Sequence, residues 1–153
     1  MRSGISIHFF SKLSVQSCAL MFMLLFAFNA RAELLVEDAW VKLAPPSIQM
    51  SAAYMKLSNQ QQDAQVITGV TADCCASAML HVTRTQGDKV SMDHLEQLSI
   101  PAQSSIHLQP GDMHIMLMKP RYELALDTPV RITFTFSDGS HQDIDIIVKR
   151  DKH

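Results

Sequence analysis

The chain has 153 residues, of which 47% are hydrophobic, and carries 13 Lys and Arg against 15 Asp and Glu. This length accommodates one domain, or one domain together with a processed segment. Because there is no excess of basic residues to neutralise phosphates, the composition excludes a nucleic-acid-binding protein.

The first 32 residues contain the three parts of a secretory signal peptide. Basic residues lie in a stretch without acids, an apolar run covers residues 18–28, and Ala30-Arg31-Ala32 provides a small-residue cleavage site. The run is shorter than the about 20 residues that a membrane-spanning helix needs. We therefore expect cleavage of residues 1–32, a mature domain of residues 33–153 in the periplasm, and no membrane insertion after cleavage.

Cysteine usage indicates a fold without disulfides. Cys18 stands at the start of the apolar run and not after it, which disfavours a lipoprotein, and it would leave with the signal peptide. The mature chain then has ten basic and fifteen acidic residues, and its only cysteines are Cys74 and Cys75. Adjacent cysteines close only a strained ring, so we expect packing to stabilise the domain.

The mature chain alternates short extended segments with turn residues. No segment has a sustained helical period of 3.6 residues, so we expect little helix and one all-β domain, an antiparallel sandwich or small barrel. Polar residues 60–63 predict a hairpin tip. Strands are predicted over residues 36–43, 52–57, 66–71, 78–84, 90–95, 105–108, 113–118, 130–136 and 141–148.

The segment Met113–Met118 contains one histidine and three methionines among aliphatic residues. Side chains at i and i+2 of a strand lie on the same face, so His114 and Met116 share a face and the intervening residues line the other. A Met-rich strand that fills a core is the simplest interpretation. An imidazole beside a thioether is also half of a site for a soft metal ion.

His81 and Met92 are candidates for the other half. They lie on two predicted strands joined at Gln86-Gly87-Asp88, and counting outward from this turn places them nearly opposite, where cross-strand side chains meet. With His114 and Met116 they would offer two nitrogen and two sulfur donors. Thioethers bind Cu(I) well and hard cations poorly, whereas structural zinc sites favour Cys and His. The donor set therefore predicts Cu(I).

The spacing of these four residues resembles a known family motif. His81, Met92, His114 and Met116 reproduce the H-x10-M-x21-H-x-M signature of the periplasmic PCu(A)C-type copper chaperones. The resemblance covers nearly all of the mature chain. Other blocks similar to the family, in family order, are Ala39-Trp40, Ala44-Pro45-Pro46, Ala52-Ala53-Tyr54 and Pro110-Gly111.

The resemblance implies a single Greek-key, cupredoxin-like β domain that carries Cu(I) at one exposed end. It also implies a protein without catalytic activity that delivers copper to a recipient. In the family the recipient is typically the copper centre of a terminal cytochrome c oxidase, in oxidase subunit II, and delivery occurs alongside Sco-type thiol proteins. Many relatives have a Met/His-rich C-terminal tail, which residues 149–153 do not match, so we expect no second site there.

Four further residues are auxiliary candidates. Cys74 and Cys75 precede His81, and thiolates are good Cu(I) ligands, although cysteines that act as small buried hydrophobes are the simpler interpretation. Met79 and His94 are each two residues from a proposed ligand and so share its face. Four other large side chains are interpreted as packing residues or core anchors: Met113, Met118, Trp40 and Tyr54.

Two alternatives to a copper chaperone remain open at this point. An electron-transfer cupredoxin needs a Cys thiolate together with two histidines, and here both cysteines lie upstream of His81. A metal-free extracytoplasmic binding domain would use the same His and Met residues for packing. No acid–base pair or assignable triad indicates an enzyme.

Overall fold

The computed structural model describes residues 33–45 and 47–150. The predicted signal peptide, with Cys18, lies outside the described residues. Within residues 33–45 and 47–150, no helix has the length and apolar character needed to cross a membrane. The described part of the chain contains ten strands: β1 (Leu35–Lys42), β2 (Met50–Asn59), β3 (Gln65–Ala72), β4 (Cys75–Gln86), β5 (Lys89–His94), β6 (Leu98–Ile100), β7 (Ser104–Leu108), β8 (Met113–Pro120), β9 (Pro129–Phe136) and β10 (His141–Lys149).

The strands form one mixed sheet in the order β5-β4-β8-β2-β1-β10-β9-β3-β6, and β7 also pairs with β2. The β1–β10 pair is parallel. Strands β3 and β4 lie near opposite ends of this order, yet only Asp73 and Cys74 separate them in the chain. The sheet therefore curls until its ends approach each other, as in a sandwich or barrel. The all-β prediction is confirmed.

Alternation of apolar side chains decides which face of each strand lies inside. On β9, Ile132, Phe134 and Phe136 are buried in one core cluster, and on β8 Ile115 and Leu117 are buried in the same cluster. Burial of each such side chain contributes about 1.5–3 kcal/mol. His114 and Met116 alternate with these core residues and point away from the cluster. We call this side of β5, β4, β8, β2 and β1 the outer face.

The connection between β2 and β3 differs from the prediction. Residues 60–63 do not form a hairpin tip, because β2 pairs with β1, β7 and β8 whereas β3 pairs with β6 and β9. Asn59 fixes the start of this crossover, since its side-chain amide donates hydrogen bonds to the carbonyls of Asp63 and Ile100. Polar composition predicts that the chain turns here, but not which strand it reaches.

Candidate metal centre

A row of aromatic rings crosses the outer face. His81 on β4 lies directly opposite His94 on β5 and His114 on β8, with ring centroids 5.7 Å and 6.0 Å from its own. Tyr54 continues the row at 6.4 Å from His114, and Trp40 follows at 5.0 Å from Tyr54. Three imidazoles therefore lie side by side, with His81 in the middle.

His114 is held in a form that leaves one ring nitrogen free to bind a ligand. Its side chain is 5% exposed, and its Nδ1 lies 3.0 Å from the carbonyl oxygen of Asp112. A carbonyl can only accept a hydrogen bond, so Nδ1 carries the proton and Nε2 keeps its lone pair. Metal-ligating histidines use this arrangement, in which the hydrogen bond fixes both the tautomer and the ring orientation.

His81 has a buried nitrogen without a partner. Its Nδ1 makes no hydrogen bond within the described part of the chain, and an unsatisfied buried polar group costs about 1–3 kcal/mol. Burial, and then the neighbouring His114 and His94, lowers the pKa of His81. The ring is therefore neutral near pH 7, and a bound metal ion would satisfy a nitrogen that protein contacts leave unpaired.

Met92 shares the face of His81 but does not lie opposite it. The β4–β5 hairpin turns over Gly87-Asp88, so His94 lies opposite His81 and Met92 lies opposite Thr83. Met92 is thus the diagonal neighbour of His81, at a spacing of about 7–8 Å that long side chains still bridge. Its side chain is 55% exposed. The prediction that Met92 lies nearly opposite His81 is therefore wrong, because its partner Thr83 lies two residues from His81 on β4.

Met116 lies on the other side of the histidine pair. It follows His114 at i+2, and its direct cross-strand partner is Met79, which itself lies two residues from His81. In a flat sheet the Cα atoms of Met92 and Met116 would be roughly 16 Å apart. The twist of the sheet and two flexible side chains are therefore needed for both sulfurs to reach one ion.

The structure does not bring Cys74 and Cys75 to this centre. Cys75 and His81 lie on the same strand, and at about 3.3 Å per residue they are roughly 20 Å apart. Both thiols are buried, with their sulfur atoms 2.7 Å apart. The hydrogen bond to the Cys75 sulfur, and then burial, raises the pKa of the Cys74 thiol. This thiol is therefore protonated near neutral pH.

The chemistry of the outer face restricts the ions that it can hold. Among the described residues, no three His, Cys, Asp or Glu side chains are close enough together to hold a metal ion. The side chains beside the histidine pair on this face include the thioethers of Met92 and Met116, which add sulfur to imidazole nitrogen. Such a neutral set of nitrogen and sulfur donors favours a soft monovalent ion over Zn²⁺ or Mg²⁺.

The sequence did not predict that Trp40 and Tyr54 lie on the outer face. We expected core anchors, and Tyr54 is indeed buried. Neither ring belongs to the core cluster, however, and on the outer face Tyr54 lies beside His114 and Trp40 beside Tyr54. The pairing of β1 with β2 shifts by one residue between Glu37 and Trp40, and Asp38 has a φ of 52°. This β-bulge turns Trp40 to the side of Tyr54. Met113, by contrast, packs against the core as predicted.

Comparison with known proteins identifies the family. The model of the LpqE-like family matches residues 34–148. The chain belongs to the LpqE-like family. One relative is Lxx21020 of Leifsonia xyli subsp. xyli, which carries a lipoprotein name and is 35% identical over 115 residues, covering 74% of this chain and 68% of that protein. RP573 of Rickettsia prowazekii is 25% identical over 138 residues, covering 82% and 75%.

Solved structures that resemble this LpqE-like chain include PCuAC domains. The solution structure of CuI-DR1885 from Deinococcus radiodurans is 31% identical, covers 81% of this chain and 84% of that chain, and superposes with a TM-score of 0.65. The copper-bound PCuAC domain from PmoF2 is 17% identical, covers 77% and 93%, and shares the fold with a TM-score of 0.64. The resemblance to PCu(A)C-type proteins and the cupredoxin-like β fold are confirmed, while the four ligands stay a prediction.

Proposed function

We propose that this LpqE-like protein is an extracytoplasmic copper chaperone that binds Cu(I) through His81, His114, Met116 and Met92. The observation that carries the proposal is the His81–His114 pair, with ring centroids 6.0 Å apart. One ring has a free Nε2 lone pair and the other a buried nitrogen without a partner in the described chain. The relative DR1885, solved with Cu(I), supports the same cargo.

The exposure of the donors suits a protein that takes up an ion and passes it on. His114 is 5% exposed whereas Met92, on the edge strand β5, is 55% exposed. We expect Met92 to contact the incoming ion first and the two imidazoles to hold it. Release follows the reverse order: a donor atom of the recipient replaces Met92 first, and the two imidazoles dissociate from the ion afterwards. Imidazole and thioether bind in their neutral forms, so near neutral pH the cycle needs no proton release.

The position of the cysteines disfavours the electron-transfer alternative. A blue-copper centre needs a Cys thiolate in the first coordination sphere with two histidines. Cys75 lies roughly 20 Å along β4 from His81, and both cysteines are buried in the core. Binding and release of copper, without catalysis, is the function that the donor set supports best.

We further propose that the protein acts in the periplasm and that its recipient is the copper centre of oxidase subunit II, with Sco-type thiol proteins taking part. The PCu(A)C resemblance and the predicted signal peptide over residues 1–32 support this proposal. The lipoprotein name of the relative Lxx21020 also supports a location outside the cytoplasm. Neutral thioether and imidazole ligands suit such transfer, because a thiol protein can displace them with a stronger thiolate donor.

An anaerobic competition titration against a chromophoric Cu(I) chelator tests copper binding. His114→Ala and Met116→Ala should each weaken Cu(I) affinity at least about tenfold, a loss of about 1.4 kcal/mol. His141→Ala is the matched control, because His141 is an exposed histidine at the start of β10 and should keep the wild-type affinity. Unchanged affinity in both site variants would refute the proposal.

A transfer experiment tests the recipient separately. Cu(I)-loaded protein is mixed anaerobically with the soluble copper domain of an oxidase subunit II, with and without a reduced Sco-type protein, and the copper content of each separated protein is measured. Copper should move to the subunit II domain or to the Sco-type protein. If copper stays on the donor in both mixtures, the recipient is wrong, although the copper-binding site remains.

A further inference from the structure

A set of methionines continues from the histidine pair along the outer face. Met79 lies opposite Met116 across β4 and β8, and Met50 lies opposite Met118 across β2 and β8. Met116 and Met118 are two residues apart on β8 and therefore share the outer face. These four residues, which we call the methionine patch, occupy neighbouring positions on three adjacent strands.

Small side chains fill the remaining positions of the patch. Ser77 lies opposite Met118, and Ala52 lies opposite Met116. No bulky side chain at either position keeps the thioethers apart. Directly opposite residues have Cβ atoms about 4.5–5.5 Å apart, a gap that flexible methionine side chains readily span. The register therefore allows the sulfur atoms of the patch to converge.

Core packing does not account for the patch. None of its four methionines belongs to the core cluster, and Met50 is 49% exposed. The other three are partly exposed on the same face. A solvent-accessible group of thioethers presents neutral, soft sulfur donors, and this ligand chemistry selects Cu(I).

We propose that the methionine patch is a second Cu(I) site, made of Met79, Met118 and Met50, with Met116 shared between the two sites. The proposal rests on the proposed function of the histidine pair and extends it. Sharing Met116 lets the ion move by exchange of single ligands: bonds from copper to the imidazoles break while bonds to the thioether sulfurs form. Copper stays in the Cu(I) state, so the step moves no electron.

The far end of the patch opens onto an accessible surface. Met50 also lines a groove of about 790 Å³, whose walls include the exposed side chains of Ile48, Tyr122 and Leu126. An ion that moves from the histidine pair along the patch therefore arrives at a concave, solvent-open surface and not in the core. The patch thus gives the ion a second position, away from the β4–β5 hairpin.

Cu(I) stoichiometry and X-ray absorption test the second site, measured anaerobically on the protein and three variants in the presence of a competing chelator. Met79→Leu/Met118→Leu removes patch donors at nearly constant volume. His81→Ala/His114→Ala removes the imidazoles. Met113→Leu is the matched control, because Met113 lies on β8 but packs against the core. Circular dichroism of each variant confirms that the fold is retained.

The wild type and the control should bind two equivalents of Cu(I), and each double variant should bind one. The ion kept by the histidine variant should have only sulfur neighbours, and the ion kept by the methionine variant should have nitrogen and sulfur neighbours. A different result would overturn the second site but keep the proposed function: the wild type and the methionine variant each bind one equivalent of Cu(I), and the histidine variant binds none. No binding in the wild type would overturn both.

Discussion

Proton competition at the histidine pair gives a prediction with a defined sign and size. An imidazolium ion has no lone pair for copper, so Cu(I) must displace a proton from each ligating histidine that is protonated. Thioethers do not protonate, so Met92 and Met116 contribute nothing to this effect. Each protonated imidazole changes the affinity up to tenfold per pH unit, about 1.4 kcal/mol. Two imidazoles therefore limit the loss to about a hundredfold per pH unit.

The environment of His81 determines the pH at which protonation of this residue begins to lower the Cu(I) affinity. Burial, and then the neighbouring His114 and His94, lowers the pKa of His81, so this effect begins below the ordinary histidine pKa of about 6.5. The expected curve is flat near neutral pH, steepens as the pH falls, and levels off where the methionine patch holds the ion alone.

The assay for this prediction is the chelator competition titration repeated from pH about 7.5 to about 4.5. Circular dichroism at each pH verifies that the protein stays folded. The His141→Ala variant serves as a control, because an exposed histidine outside the site should leave the curve unchanged. An affinity that stays flat from neutral pH to about pH 5 would refute binding through two histidines.

Three further predictions concern the framework around the site. Leu117 is fully buried on β8, the strand that carries His114 and Met116. Leu117→Ala should therefore lower the free energy of unfolding, measured in urea, by about 2–5 kcal/mol. A loss below about 1 kcal/mol would contradict the assignment of Leu117 to the core. Gly111→Ala should lower the free energy of unfolding by about 1–2 kcal/mol in the same assay, because Gly111 has a φ of 80° that L-residues adopt only with strain. An unchanged free energy of unfolding would contradict this backbone conformation at Gly111. Cys74 and Cys75 are buried and should react with an aromatic disulfide reagent only after denaturation, so fast reaction of the native protein would show that the thiols are accessible.

Strand periodicity was sufficient to predict the arrangement within β8. Because side chains alternate with a period of two, the sequence alone assigns His114 and Met116 to one face and Ile115 and Leu117 to the other. Burial of the two aliphatic residues in the core confirms that division. The same period of two is seen on β9, where Ile132, Phe134 and Phe136 belong to the core cluster.

Register across a hairpin depends on the length of its loop, which periodicity does not determine. Taking Gly87-Asp88 as a two-residue loop would have paired His81 with His94, as the structure does. Counting outward from Gly87 placed Met92 nearly opposite His81, two positions from Thr83, which is its partner in the structure. The face of Met92 was therefore predicted correctly, because a shift by two residues preserves the face, but its partner was not.

Long-range neighbours were beyond the reach of the sequence. Met50 meets Met118 only because β2 lies beside β8 in the sheet, and no local pattern in either segment indicates that pairing. This is why Met118 was interpreted as packing. The bulge at Asp38 is similar, since one extra residue in β1 changes the side on which Trp40 lies and leaves no strong signal in composition.

X-ray absorption at the copper edge tests the central claim most directly. The protein is loaded anaerobically with one equivalent of Cu(I) near neutral pH, and its spectrum is compared with that of the His81→Ala/His114→Ala variant. The proposed centre predicts two nitrogen and two sulfur neighbours in the wild type, and loss of the nitrogen neighbours in the variant. A wild-type spectrum with only sulfur neighbours, or with only nitrogen and oxygen neighbours, would contradict a centre built from the histidine pair and its flanking methionines.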